Sequence, residues 1–255
     1  MQVSKAYLTN FANNLEKLSQ SARNTLVEQL GNVDIGNRDE VAAVMRGVCK
    51  PYAEMSAALT AQFYDGIRGY SGVTSRYSAE AYSGYDAGEV TAASNAIVAE
   101  VEAGTATVSV ATLLGDVADR IVNNSSNECV RYNARRDPAR PKCAVVPQSA
   151  NPCEWCVMRA SAGFIYDQDS HSHNNCKCRL VPGYGKEPSV EGYNLDGYRE
   201  QWDSADRAWR NGDIDEELAE EIQAAKERHI AAYNAGETSK RWDDTNAILM
   251  VMRRQ

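Results

Sequence analysis

The stretch from Cys153 to Cys178 holds four of the chain's seven cysteines and two of its three histidines. It reads Cys153-Glu154-Trp155-Cys156, then sixteen residues, then His173-Asn174-Asn175-Cys176-Lys177-Cys178. Two residues between cysteines let a tight turn aim both sulfurs at one ion. Zinc takes four nitrogen or sulfur ligands in a tetrahedron, usually two from each of two such knuckles. Sixteen residues are enough to return the chain as a hairpin. The opening Met1-Gln2-Val3-Ser4-Lys5 lacks the apolar core of a signal peptide. The expected setting is therefore a reducing cytoplasm, where clustered cysteines point to metal before disulfide.

Five donors compete for four places. Cys153 and Cys156 form one pair, and His173 and Cys176, again two residues apart, form the other. Cys178 is the substitute. Residues two apart in an extended segment share a face, so Cys176 and Cys178 could both reach the ion and make a four-cysteine site. His171 is a further candidate. A redox or disulfide pair at Cys153 and Cys156 is the alternative to metal. Four protein ligands leave no open position for water, so the zinc would be structural.

Signals for catalysis fail individually. Pro152-Cys153-x-x-Cys156 matches half of the zinc deaminase pattern, but that pattern needs its His-x-Glu first. Here His171, His173 and His229 all follow the cysteines. Gly69-Tyr70-Ser71-Gly72-Val73 lacks the last glycine of a nucleophile elbow. No phosphate-binding or dinucleotide loop is present. Glu216-Glu217 and Glu220-Glu221 read as a solvated helix face. The expectation is that the chain is not an enzyme.

The rest of the chain reads mainly α, with extended helical arms flanking a small irregular β/zinc-knuckle module. Three segments are expected: a helical arm over 1–133, the knuckle module over 134–186 and an acidic helical tail over 187–255. Leu8, Phe11, Leu15, Leu18, Ala22, Leu26 and Leu30 step by three and four, one helix face. Asp39-Glu40 open a second helix that continues to Tyr52, with Pro51 as a kink point. Residues 75–102, rich in alanine with Gly84 and Gly88, read as closely packed helix. Thr105–Val110 allows a short strand, but Ser109–Tyr132 is read as helix. Pro138, Pro141, Pro147 and Pro152 preclude a regular helix in the module. Tyr198–Arg210 and Asp213–Asn234 follow, parted by Asn211-Gly212, and Gly236 precedes a last helix. That tail, ending in Ile248, Leu249, Val251 and Met252, reads as too short for a core of its own and so as a docking element.

Charge follows the same division. The net charge of −8 argues against a general nucleic-acid coat. Residues 1–130 carry −6, residues 131–186 carry +5 and residues 187–255 carry −7. Arg131, Arg135, Arg136, Arg140 and Lys142 form a basic strip suited to phosphate contact. Lys177 and Arg179 would extend it. The opposing reading pairs these cations with the acidic arms. No stretch approaches the roughly 18 apolar residues of a membrane span.

The knuckle, with Asn151-Pro152 before it, Gly163-Phe164-Ile165-Tyr166 inside it and Arg179-Leu180-Val181-Pro182 after it, resembles a known family. These are the minor head proteins of tailed bacteriophages, the Mu F-like head morphogenesis proteins and their relatives in phages of actinobacteria. The resemblance covers roughly Pro147–Tyr184. The family has proline after the histidine, where this chain has Asn174. It implies a structural minor capsid protein acting in head morphogenesis on the inner side of the capsid near the portal. The implied partners are the portal protein or the major capsid protein, with weak non-specific contact with packaged DNA. The implied location is the virion interior, and the host cytoplasm during assembly. The alternatives are a zinc-knuckle nucleic-acid-binding protein and a metal-dependent enzyme or effector.

Overall fold

In the computed structural model, the apolar stripe of the first arm faces inward. Leu8, Phe11, Leu15, Ala22, Leu26 and Leu30 are all buried on α1 (Lys5–Leu30). The Ser4 side chain caps it by accepting from the Tyr7 amide. The structure describes residues 2–168, 173, 176–235, 238 and 241–255. Within these the chain is mainly helical. It divides into two compact units: Met1–Ser149 with Phe164–Tyr193, and Ala150–Gly163 with Asn194–Gln255.

The first unit holds β1 (Gln2–Val3), α1, α2 (Arg38–Tyr70), α3 (Ala87–Glu102), α4 (Val110–Arg136), β2 (Lys142–Val146), β3 (Arg179–Gly183) and β4 (Ser189–Val190). Asn37 and Glu40 cap α2 reciprocally: the Glu40 amide donates to Asn37 Oδ1, and Asn37 Nδ2 donates to Glu40 Oε1. The helix runs through Pro51, which is exposed. One core joins Leu26, Met45, Val48, Val90, Val98, Leu114 and Ile121. Farther along, α2 and α4 meet through small side chains. Ser56 Oγ donates to the Val122 carbonyl at 2.7 Å, and Thr60 Oγ1 donates to Ser126 Oγ at 2.9 Å. Ala57 and Ala61 pack there on Cys129. Strands β1 and β4 pair in parallel, and β2 and β3 pair antiparallel, with Lys142 opposite Gly183 and Val146 opposite Arg179.

Two expectations need correction. Residues 75–102 are not one helix: α3 begins at Ala87, capped by Asp86, and the residues before it lack helix. Side chains hold that segment. Asp65 accepts from the Ala79 amide, and Asn133 both accepts from the Glu80 amide and donates to the Glu80 carbonyl. Gly84 sits at φ 61°, and a Cβ there would lie 2.7 Å from Glu128 Cγ. Its small size thus serves contact with α4, not a helix–helix groove. Second, the proline-rich module contains a helix, described with the second unit. The 109–132 reading as helix agrees with α4, which Ser109 caps.

The second unit consists of α5 (Glu154–Ser161), α6 (Leu195–Asn211), α7 (Glu216–Asn234) and α8 (Asp244–Arg254). Gly212 ends α6 at φ 75°, the left-handed stop that glycine accepts without strain. Gly236 lies outside the described residues. Contrary to the sequence reading, the tail builds its own core. Ala205, Leu218, Ile222, Ala247, Ile248 and Val251 are buried together, with Trp202, Trp209 and Trp242 against them. Arg254 reaches Glu217 and Glu221 across the α7–α8 contact. The buried face of α8 is therefore occupied within its own unit. Deleting Thr245–Gln255 is expected to unfold this unit, and Ile248→Ala to destabilise it by about 2–5 kcal/mol. Hydrogen exchange resolved over α6 and α7 measures both.

Candidate metal centre

Both halves of the knuckle are set at the ends of regular elements. Pro152 leads into α5, whose N-cap is Cys153. The Cys153 carbonyl accepts from the Val157 amide at 3.0 Å, the first turn of the helix. Cys156 falls on the third helical position and is buried. Both sulfurs thus sit at the end of a helix where backbone N–H groups favour negative charge. A metal-bound thiolate is such a charge.

The second half leads into β3. The Cys176 amide donates to the His173 carbonyl at 3.3 Å, closing a turn across the two intervening residues. The Cys178 amide donates to Cys176 Sγ at 3.4 Å. Cys176 and Cys178 are 1% and 3% exposed. The following strand is fixed to α4, since the Leu180 amide donates to Asn127 Oδ1 at 3.0 Å.

Within the second unit the sulfurs of Cys153 and Cys156 lie within 4.8 Å of each other, and within the first unit so do those of Cys176 and Cys178. Cys178, the substitute ligand, thus stands beside Cys176. His171 lies outside the described residues. None of the seven cysteines, all among the described residues, is disulfide-bonded. Cys49, Cys129 and Cys143 are buried apart from these groups, and burial pushes their thiols up to about 12, 11 and 12. These three are inert packing residues.

Arg179, read in sequence as an exposed cation, is buried at 2% exposure. Its Nη1 donates to Asn123 Oδ1 at 2.7 Å and to the Cys178 carbonyl at 3.0 Å, while its Nε has no hydrogen-bond partner among the described residues. Burial pushes its guanidinium below the ordinary arginine range, against the opposing influence of Cys176 and Cys178 and then of Asp119 and Glu16. Lys177 pairs with Glu16.

The basic strip is partly satisfied locally. Arg131 and Arg135 both pair with Asp167, and Arg131 also with Glu128. The Arg135 hydrogen bond is the main cause that holds the Asp167 carboxyl below the usual range. Arg136 lies over the Tyr132 ring at 3.5 Å, and Tyr82 stacks on that ring's other neighbourhood at 4.2 Å between centroids. Lys142 Nζ is 5.4 Å from the Tyr166 ring centroid. Arg140, exposed, takes φ 44°. The main partner, Asp167, comes from the basic segment itself and not from either acidic arm.

Sequence reasoning missed a second charged site. Asp137 is fully buried and accepts from Arg68 Nε at 2.9 Å, Tyr184 Oη at 2.9 Å, Tyr64 Oη at 3.2 Å and the Ala139 amide at 2.9 Å. Burial alone would raise its carboxyl, but the Ala139 amide, Arg68 and Tyr184 together bring it below the usual range. Arg68 and Asp137 are 69 residues apart, so no local pattern announces them.

No helix among the described residues is long and apolar enough to cross a membrane. The family model described as VG15 protein matches residues 2–205. No curated protein and no solved structure matches the chain.

Proposed function

Because the chain belongs to the VG15 protein family, a viral family of phage proteins, we propose that it is a structural minor capsid protein of a tailed phage. It acts in head morphogenesis on the inner side of the capsid near the portal, and its partners are the portal protein or the major capsid protein. The family match over residues 2–205 carries this reading. The likeness of the knuckle to Mu F-like head proteins supplies the finer assignment. The role is architectural and not catalytic.

A zinc ion fits the residues present. The donors are sulfur and imidazole, the set zinc prefers. Cys176 Sγ already accepts a backbone N–H, as metal-bound sulfurs do when a second shell orients them. Cys153, Cys156, His173 and Cys176 would hold the ion, with Cys178 able to replace a ligand. With four protein ligands it would be structural, with no position for a reacting water. Arg136 and Arg140, exposed at the end of α4 and beyond it, would supply the weak, sequence-independent contact with packaged DNA.

Mass spectrometry of purified particles and of empty precursors, with metal analysis, tests the assignment. The protein is expected at low copy in precursors, with about one zinc per chain. Its absence from both kinds of particle overturns the capsid role. Tight binding to one DNA sequence, in place of a weak interaction that falls steeply with salt, would favour the nucleic-acid-binding alternative.

A further inference from the structure

A buried guanidinium needs an anion. Taking a cation out of water costs several kcal/mol unless charge and hydrogen bonds compensate it. Arg179 is 2% exposed. Its two hydrogen-bond acceptors, Asn123 Oδ1 and the Cys178 carbonyl, are both neutral. Its Nε–H is unspent among the described residues. Among the described residues it forms no ion pair with a carboxylate. Asp119, buried at 2% exposure and also carrying an unpartnered oxygen, lies 4.0 Å from Arg23. What does flank Arg179 is sulfur: Cys178 precedes it in the chain, and Cys176 accepts from the Cys178 amide.

We infer that Arg179 is a positioning residue that balances the negative charge of a thiolate-rich metal centre and thereby makes Cys178 a ligand together with Cys176. The inference rests on the zinc reading above. The charge count supports it. Zinc with three thiolates and one imidazole is −1, and with four thiolates −2. Either centre supplies an anion that the hydrogen-bond partners of Arg179 do not, and the second supplies more of it. The guanidinium is also held in place for the task. Asn123 fixes Nη1 from α4, and Asn123 Nδ2 is itself committed to the Asp119 carbonyl. Arg179 is thus oriented from the helix side while its chain neighbours carry the sulfurs.

The test uses the full chain and zinc itself. Zinc affinity is measured by competition with a chromogenic chelator, the thiolate count by the sulfur-to-cobalt charge-transfer absorption after cobalt substitution, and apo stability by urea unfolding. Arg179→Met is expected to weaken zinc binding about 10–100-fold, the usual effect of losing an outer-shell partner, and Arg179→Lys, which keeps the charge, to recover most of it. Cys178→Ser is expected to reduce the charge-transfer intensity. In that background Arg179→Met is expected to change affinity much less. If Arg179→Met does not fold, Arg179→Gln, which keeps a donor for Asn123 without the charge, takes its place. Unchanged zinc affinity in the Met or Gln variant, or the same loss with and without Cys178, overturns the inference while leaving the zinc reading standing. A wild-type chain that binds no zinc removes both.

Discussion

Serine at Cys156 is expected to abolish zinc binding outright. Its sulfur lies within 4.8 Å of that of Cys153 at the start of α5, and a tetrahedral site that loses one of four protein ligands is no longer closed. Structural zinc contributes ~10–16 kcal/mol of apparent binding free energy at neutral pH, and in small modules this appears as folding free energy. Loss of this ligand should therefore unfold residues 147–184 while α1 to α4, which have their own apolar core, persist. Metal content per chain and protease sensitivity within that range measure the outcome. Chelation of the wild-type chain should reproduce it. A Cys156→Ser chain that keeps one zinc and resists protease would remove the metal from the account.

The second large effect is expected at Asp137. Its carboxylate is the only counter-charge of Arg68 among the described residues, and both side chains are buried, at 0% and 9% exposure. Asp137→Ala leaves a buried guanidinium uncompensated and two tyrosine hydroxyls, of Tyr64 and Tyr184, without their acceptor. Breaking a buried pair from one side costs about 3–5 kcal/mol, measurable by urea unfolding. The pH dependence has a fixed sign. The folded carboxyl titrates below the usual range, so its contribution is full above the unfolded value of about 3.9 and is lost as pH falls through the lower, folded value. Wild type should lose this stability on acidification and Asp137→Asn should not. Parallel acid profiles for the two would contradict the role given to Asp137.

The helical arms are legible because burial there follows period. Leu8 to Leu30 mark one face and that face is inside. Ser109, Asn194 and Asp215 cap α4, α6 and α7 with the side chains that capping needs. The pairing of sulfurs is legible because the spacing is short: Cys153 stands by Cys156 and Cys176 by Cys178. The failures have physical causes. Alanine-rich residues 75–86 carry no period that separates helix from extended chain, and Asp65 and Asn133, distant in sequence, decide the matter. Four prolines suggested an irregular module, yet Pro152 stands just outside α5, where its missing N–H does no harm. The tail's core escapes a single-helix reading because it is assembled from α6, α7 and α8, none apolar enough alone. Arg179 and Arg68 look like surface cations until the tertiary fold supplies what surrounds them.

The second unit is drawn from two stretches of chain, with Phe164–Tyr193 between them belonging to the first. Helix α5 packs on α6 and α8, and α8 ends at Arg254. On the ribosome, α5 therefore emerges about 90 residues before its last partner, a delay of roughly 5–20 s at ordinary elongation rates of about 5–20 residues per second. For that interval a two-turn helix, too short to persist alone, waits with Cys156, buried in the folded chain, unshielded. A pause or premature stop within α7 would leave a nascent chain whose first unit can fold but whose paired thiols stay open to oxidation or to capture by the quality-control machinery.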